Sequence, residues 1–268
     1  MVAIKNTGSA LLMDLADILL LAAAGFAAGS INSVAGGGTF FSFSALLAVG
    51  VGPIAANATS AIAVVPGSIA AMLADWRLIR ETKENLWRLS LISLVGGALG
   101  AWLVLRAGDV RFASMVPWLL FLATALFAMG PRLARISIRF REGKSAAVAA
   151  IMVITIQFVT STYGGFFGAG MGIIMLAALV LVFGEDYRTA NACKNLFSIF
   201  IQAGAIVLFL IEGVIDWPAA AVITASSIAG GFIGVIGARR VPVKLLRMFV
   251  VTCGALLGCY YLYGQVVG

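Results

Sequence analysis

Polar side chains that could bind a small charged molecule open two of the apolar segments of this sequence. The two sets are Asn57, Thr59 and Ser60, and Asn191, Lys194 and Asn195. A lysine inside an apolar membrane span costs about 2.5 kcal/mol or more, so its ammonium usually faces a cavity or a partner. Lys194 would therefore supply the fixed positive charge that an anion needs. The sequence leaves an alternative equally open, in which the side chain extends to the membrane surface.

Two glycine-rich runs stand directly before two short apolar segments. Their glycines are Gly36, Gly37 and Gly38 in the first run, and Gly168, Gly170 and Gly172 in the second. Glycine permits unwound backbone inside a membrane, which is tolerated only where it is buried in protein or lines a cavity. A following helix of about 12 residues spans only about 18 Å, so it should begin inside the bilayer. Its free N–H groups would suit an anion, whereas close helix packing through small residues is the alternative.

The composition argues against other kinds of chemistry. The chain has no histidine, and its three cysteines, Cys193, Cys253 and Cys259, lie in apolar segments without the spacing of metal ligands. Catalysis generally needs a nucleophile with a base, or a metal, so we expect neither an enzyme nor a metal site nor another cofactor. The net charge of +7 comes from residues between apolar segments, a pattern that orients membrane proteins rather than binding nucleic acid.

The elements that must position these residues are membrane helices. Hydrophobic residues make up 62% of the 268 positions and charged residues 11%, against about 25% charged in a soluble domain. We predict an all-α integral membrane protein with ten apolar segments. They run from 15 to 34, 39 to 51, 54 to 74, 89 to 106, 112 to 129, 147 to 167, 172 to 183, 189 to 210, 217 to 237 and 245 to 264.

The chain repeats itself at an offset of 134 residues, half its length. The offset places Ala56-Asn57-Ala58 on Ala190-Asn191-Ala192, and Gly96, Gly97 and Gly100 on Gly230, Gly231 and Gly234. A constant offset over many residues indicates a duplicated unit. We therefore divide the chain into two transmembrane repeats of one membrane domain, 1–134 and 135–268. The glycines of the second matched set are predicted to serve helix packing.

The distribution of basic residues predicts the topology. If all ten segments cross and the N-terminus lies outside, fourteen basic residues face the cytoplasm and three face out; eight crossings give ten against seven. Because positive charge favours the cytoplasmic side, ten crossings are preferred, with both termini outside and a basic cytoplasmic linker at 131–145 beside anionic lipid. Five crossings per unit invert one half relative to the other. Inverted repeats with glycine-broken helices are common in secondary transporters.

The motifs resemble those of the sulfite exporter TauE/SafE family of membrane permeases over nearly the whole chain. Gly25, Gly29, the glycine triplet at 36–38 and the run 57–60 follow that pattern. The second half departs modestly, since Met171 interrupts its triplet and Cys193-Lys194-Asn195 stands where small hydroxyl residues are more usual.

The resemblance implies a multi-pass protein of the plasma membrane that exports sulfite, thiosulfate or a sulfonate such as sulfoacetate. Its partners would be a small anionic substrate and membrane lipid, and a homodimer is compatible with the sequence. A passive anion channel, and a permease for another small anion or an organic acid, remain alternatives. A carrier would bind the anion between the two halves.

Overall fold

A computed structural model describes residues 13–34, 38–82, 86–141, 145–183, 186–237 and 243–267, and within them the chain is helical without strands. The helices are α1 Leu15–Val34, α2 Thr39–Ala48, α3 Pro53–Ala74, α4 Trp76–Glu81, α5 Leu86–Arg141, α6 Ala146–Phe166, α7 Met171–Phe183, α8 Tyr187–Ile211, α9 Trp217–Gly237 and α10 Val243–Val267. The predicted apolar segments all fall within these helices, apart from a few residues at their ends. The all-α prediction is therefore confirmed.

The helices have the character of membrane spans. Within the described residues, four stretches are long and apolar enough to cross a bilayer, namely Leu15–Asn32, Pro53–Ala74, Leu86–Gly130 and Arg188–Ile211. Shorter apolar helices lie at Thr39–Ala48, Ala150–Phe166 and Trp217–Ile233. Large apolar side chains such as Trp118 and Ile151 are exposed, while polar ones such as Gln157 and Lys194 are buried. This arrangement suits lipid as the surrounding solvent and not water.

Helix α5 contains two of the predicted segments. At 56 residues it would be about 84 Å long if straight, far more than a bilayer thickness. Gly108 interrupts it with φ +76° and ψ 160°, a left-handed conformation that glycine adopts at little cost. The part after Gly108 continues as helix to Arg141. The predicted linker at 131–145 is thus helical over most of its length, because no proline or glycine follows Pro131 before Gly143.

Small residues let helices of the two halves approach closely. A Cβ atom at Gly97 would collide with the backbone of Ile201, and one at Gly100 with the carbonyl oxygen of Thr162. At Gly231 the nearest neighbour is the backbone of Gly67, whose Cα atom would lie 3.6 Å away. The predicted packing role is confirmed at Gly96, Gly97, Gly100 and Gly230, where a Cβ atom would collide with a neighbouring helix. Gly231 makes an ordinary van der Waals contact, and the surroundings of Gly234 lie outside the description. The contacts Gly97–Ile201 and Gly231–Gly67 are related by the 134-residue offset, which supports the proposal of two related halves.

Helices α3 and α8, which carry the two polar sets, run antiparallel. Arg188 at the start of α8 forms an ion pair with Asp75 at the end of α3, with 3.2 Å between the guanidinium nitrogen and carboxylate oxygen. Farther along α8, Gln202 borders the same cavity as Asn57 and Ser60 near the start of α3. These two helices occupy equivalent positions in the sequence repeat. Their antiparallel directions support the proposal that one half is inverted relative to the other.

Candidate functional site

A small cavity lies where the start of α2, the first turns of α3, the end of α6 and the middle of α8 meet. The space that the centre of a water molecule can occupy in it is about 10 Å³. The cavity can therefore hold about one water. The cavity is lined by Thr39, Asn57, Ser60, Ala61, Gly164, Gly165, Phe167, Gly168, Gln202 and Phe209. It joins residues from both halves of the chain.

Four polar side chains of the cavity wall are buried: Thr39, Asn57, Ser60 and Gln202. The Ser60 hydroxyl oxygen lies 2.5 Å from that of Ser42. The hydroxyl of Thr39 has no hydrogen-bond partner among the described residues. Buried polar groups are nearly always satisfied, so an unsatisfied hydroxyl on a cavity wall indicates a place for a ligand or water.

Backbone carbonyls around the cavity are satisfied by side chains. Asn57 donates from Nδ2 to the Phe166 carbonyl oxygen at 3.1 Å, at the last residue of α6. The Tyr163 hydroxyl donates to the Ala169 carbonyl oxygen at 2.7 Å. Unwinding at Gly168, which has φ +74°, frees carbonyls that would otherwise repel an anion. These two donors occupy the carbonyls and reduce that repulsion.

The charge around the cavity comes from backbone dipoles rather than side chains. None of its described lining residues is ionisable in the physiological range. Thr39 is the first residue of α2, so the N-terminus of that helix, with its free N–H groups and partial positive charge, lies at the wall. The site can therefore offer hydroxyl, amide and N–H donors to an anion. It provides no general acid or base for catalysis.

Lys194 lies in the interior, but outside the cavity. Only 1% of it is exposed, and its Nζ donates to the Asn32 carbonyl oxygen at 3.1 Å. The alternative in which this side chain extends to the membrane surface is therefore wrong. Its acceptor is equivalent to that of Asn57, because the 134-residue offset places Asn32 on Phe166. In each half, a donor from the third apolar segment holds a carbonyl near the end of the other half's first helix.

The other predicted residues lie at separate positions. Thr59 accepts a hydrogen bond from the Asp216 backbone N–H at 2.9 Å, just before α9, and is not part of the cavity wall. Asn195 is 1% exposed, and its Nδ2 has no partner within the described ranges. Asn191 is half-buried in the second turn of α8. These polar residues and Lys194 do not join Asn57 and Ser60 at the cavity.

Among the predicted glycines that the structure describes, Gly168 alone lines the cavity. A Cβ atom at Gly38 would collide with the Ala28 carbonyl, so this glycine permits close packing of α1 and α2. Gly170 has φ +79° and lies against Ala123, and Gly172 is buried within α7. The predicted residues Gly36 and Gly37 lie outside the described residues.

Sequence reasoning missed Thr39 and Gln202 as site residues. Thr39 ends the first glycine run, so its position was visible, but its burial without a partner was not. Gln202 lies eleven residues after Asn191, and a spacing of eleven returns to the same helix face. A search for polar residues at helical spacing along α8 would have found it. No such pattern would have identified Gly164, Gly165 and the phenylalanines of the wall.

These features define a class: a multi-pass, membrane-embedded α-helical protein with a buried polar cavity between two sets of helices. The family model described as sulfite exporter TauE/SafE matches residues 21–261. The chain belongs to this family, and it is a membrane transporter, as the motifs at 36–38 and 57–60 indicated. The family and its relatives are named for transport and not for catalysis.

Relatives cover nearly the whole chain. A "Probable membrane transporter protein" of Haemophilus influenzae is 28% identical over 253 residues, which are 93% of this chain and 96% of that protein. The transporter protein ORF9 of Sinorhizobium sp is 27% identical and covers 90% of this chain and 91% of its own length. YfcA of Escherichia coli K12 is 29% identical, with 88% and 86% covered. Their names state transport without a substrate.

Proposed function

We propose that the chain is a secondary transporter that exports small sulfur-containing oxyanions, such as sulfite, thiosulfate or a sulfonate like sulfoacetate. The observation that carries this proposal is the buried wall of neutral donors formed by Thr39, Ser60 and Gln202 beside the N-terminus of α2. Oxyanions accept several hydrogen bonds at once, and hydrogen bonds to a charged group are worth about 1.5–3 kcal/mol each. The family description, which names sulfite, supports this substrate class.

The size of the cavity favours a carrier with moving halves. A volume of about 10 Å³ has room for one water, whereas sulfite has four heavy atoms. The walls must therefore separate before an anion enters. The wall joins α2 and α3 from the first half to α6 and α8 from the second, so movement between the halves would open it. Alternating access of two inverted five-segment repeats in ten crossings is the corresponding mechanism.

The orientation completes the proposal. We place the protein in the plasma membrane with both termini outside, because this arrangement puts the basic connections on the cytoplasmic side. Arg188 and Asp75 then lie near the cytoplasm, and the start of α3 lies near the outer face.

Transport of a panel of anions by the purified protein in liposomes tests this function. We expect saturable flux and counterflow with sulfite, thiosulfate or sulfoacetate. Flux of taurine, a zwitterion without net charge, should be much weaker. Gln202→Leu should raise the half-saturation concentration by roughly tenfold or more, because one hydrogen bond to the anion is lost. Gln265→Leu serves as the matched control, since Gln265 is exposed and outside the cavity.

Three results would contradict parts of this proposal. Flux that does not saturate and shows no counterflow would identify a passive anion channel. Saturable flux of an organic acid or another anion, without flux of the sulfur compounds, would make the chain a permease for that substrate. An unchanged half-saturation concentration in Gln202→Leu would remove the cavity from the transport path.

A further inference from the structure

A buried polar stripe on α8 connects the cavity with Lys194. The stripe consists of Asn191, Lys194, Asn195, Ser198 and Gln202, whose spacing places them on one helix face. All except Asn191 are at least 95% buried. Lys194 lies eight residues before Gln202, or about 12 Å along the helix. The stripe therefore has two separate ends, and only the Gln202 end borders the cavity.

The Lys194 end has hydrogen-bond donors that no described residue accepts from. An ammonium has three N–H donors, and among the described residues Nζ makes one hydrogen bond, to the Asn32 carbonyl oxygen. The salt bridge present in the described part of the chain joins Arg188 to Asp75 and does not involve Lys194. Next to Lys194, the buried Nδ2 of Asn195 lacks a partner among the described residues. A buried cation that pairs with no described carboxylate, beside an unsatisfied donor, is a place for an anion.

The sequence repeat relates this end of the stripe to the cavity. The 134-residue offset places Ser60 on Lys194 and Ala61 on Asn195. The first half therefore has a hydroxyl and a methyl group where the second half has an ammonium and an amide. Because α3 and α8 are antiparallel, the two places lie toward opposite faces of the membrane. They are equivalent in position and differ in charge.

We propose that Lys194 and Asn195 form a second station for the transported anion, distinct from the neutral station at Ser60 and Gln202. This inference rests on the proposed function. The charged station serves the face that carries Arg188, and the neutral station serves the opposite face. A charge-assisted hydrogen bond is about twice as strong as a neutral one. The half-saturation concentration for sulfite should therefore be about tenfold lower from the Arg188 face than from the opposite face.

Exchange of labelled sulfite in right-side-out and everted membrane vesicles, with saturating sulfite on the far side, measures the two half-saturation concentrations separately. Lys194→Ser makes this station like its counterpart at Ser60. The half-saturation concentration from the Arg188 face should then rise about tenfold, and that from the opposite face should stay constant. The double variant S60K/K194S moves the charge to the equivalent position in the other half. The half-saturation concentration should then be lower from the face opposite Arg188. Lys194→Arg, which keeps the charge, should retain the original difference.

Asn195→Ala tests the station without removing its charge. It should raise the half-saturation concentration several-fold from the Arg188 face alone, so the proposal stays testable if a lysine variant fails to fold. Equal half-saturation from both faces in the unchanged protein would overturn the second station. An equal rise from both faces in Lys194→Ser or Asn195→Ala would also overturn it, because it would place these residues in one shared site. Absence of saturable flux of sulfite, thiosulfate and sulfoacetate from both faces would instead overturn the proposed function itself.

Discussion

Replacing Thr39 by valine should stabilise the ligand-free protein and weaken its affinity for the anion. The Thr39 hydroxyl is buried in the cavity wall without a partner among the described residues. An unsatisfied buried donor costs about 1–3 kcal/mol, and valine has nearly the same shape without the hydroxyl. We expect a gain in unfolding free energy of about 1 kcal/mol, at the low end because the cavity has room for a water that can satisfy the hydroxyl.

The loss of affinity follows from the same hydroxyl. A hydrogen bond to a charged group contributes about 1.5–3 kcal/mol, so the dissociation constant for sulfite should rise by roughly 10- to 150-fold. Thermal unfolding of the protein in detergent, with and without sulfite, measures both effects. The unliganded midpoint should rise, and the shift produced by sulfite should shrink.

Thr160→Val is the matched control for this experiment. The Thr160 hydroxyl is also buried and unsatisfied within the described residues, but Thr160 does not line the cavity. This variant should gain stability and keep the sulfite-induced shift of the unchanged protein. A destabilised Thr39→Val protein, or one that binds sulfite as tightly as before, would refute the reasoning that this hydroxyl is reserved for the substrate.

Three further variants test the packing and the loops. Gly97→Ala should cost about 1–3 kcal/mol, because its Cβ would collide with a neighbouring backbone, whereas Gly264→Ala has open space and should not destabilise the protein in thermal unfolding. Tyr163→Phe should cost about 1–3 kcal/mol and slow transport, since it leaves a buried loop carbonyl unsatisfied; normal melting and flux would contradict this role. Asp186→Ala should cost about 1 kcal/mol at pH 7 through loss of the cap on α8. Hydrogen bonds from Thr189 hold the pKa of the Asp186 carboxyl below its ordinary value, so this difference should be present at neutral pH and shrink progressively as the pH falls below about 4, where the carboxyl begins to be protonated.

Helix positions were predictable because the solvent imposes them. A segment in lipid must satisfy its backbone internally, so apolar runs of suitable length become helices wherever they occur. The runs at 15–34 and 217–237 accordingly match α1 and α9 to the residue. The helical extension to Arg141 was not predictable in this way, because its basic residues lie beyond the apolar pattern that marks a span.

The candidate site was predictable only in part. Asn57, Ser60 and Gly168 were expected from polar and glycine residues in apolar surroundings, and they meet at the cavity. Thr59 has the same polar character, but its hydroxyl holds the backbone before α9. Lys194 was expected at a shared site and instead contacts α1. Sequence shows which polar groups are placed in lipid, while their partners depend on neighbouring helices.

The sequence by itself determined that the protein lies in lipid, that it is helical and that it resembles its family, since these follow from local composition and spacing. The tertiary structure alone decided which polar groups share a cavity, because a helix face is fixed by its own residues but its partner is chosen by packing. Glycine contacts between the halves set how closely α5 approaches α6 and α8. The packing of α3 against α8 brings Gln202 to the cavity of Asn57 and Ser60. A pattern repeated in both halves therefore produced a neutral cavity at one position and a buried ammonium at its equivalent.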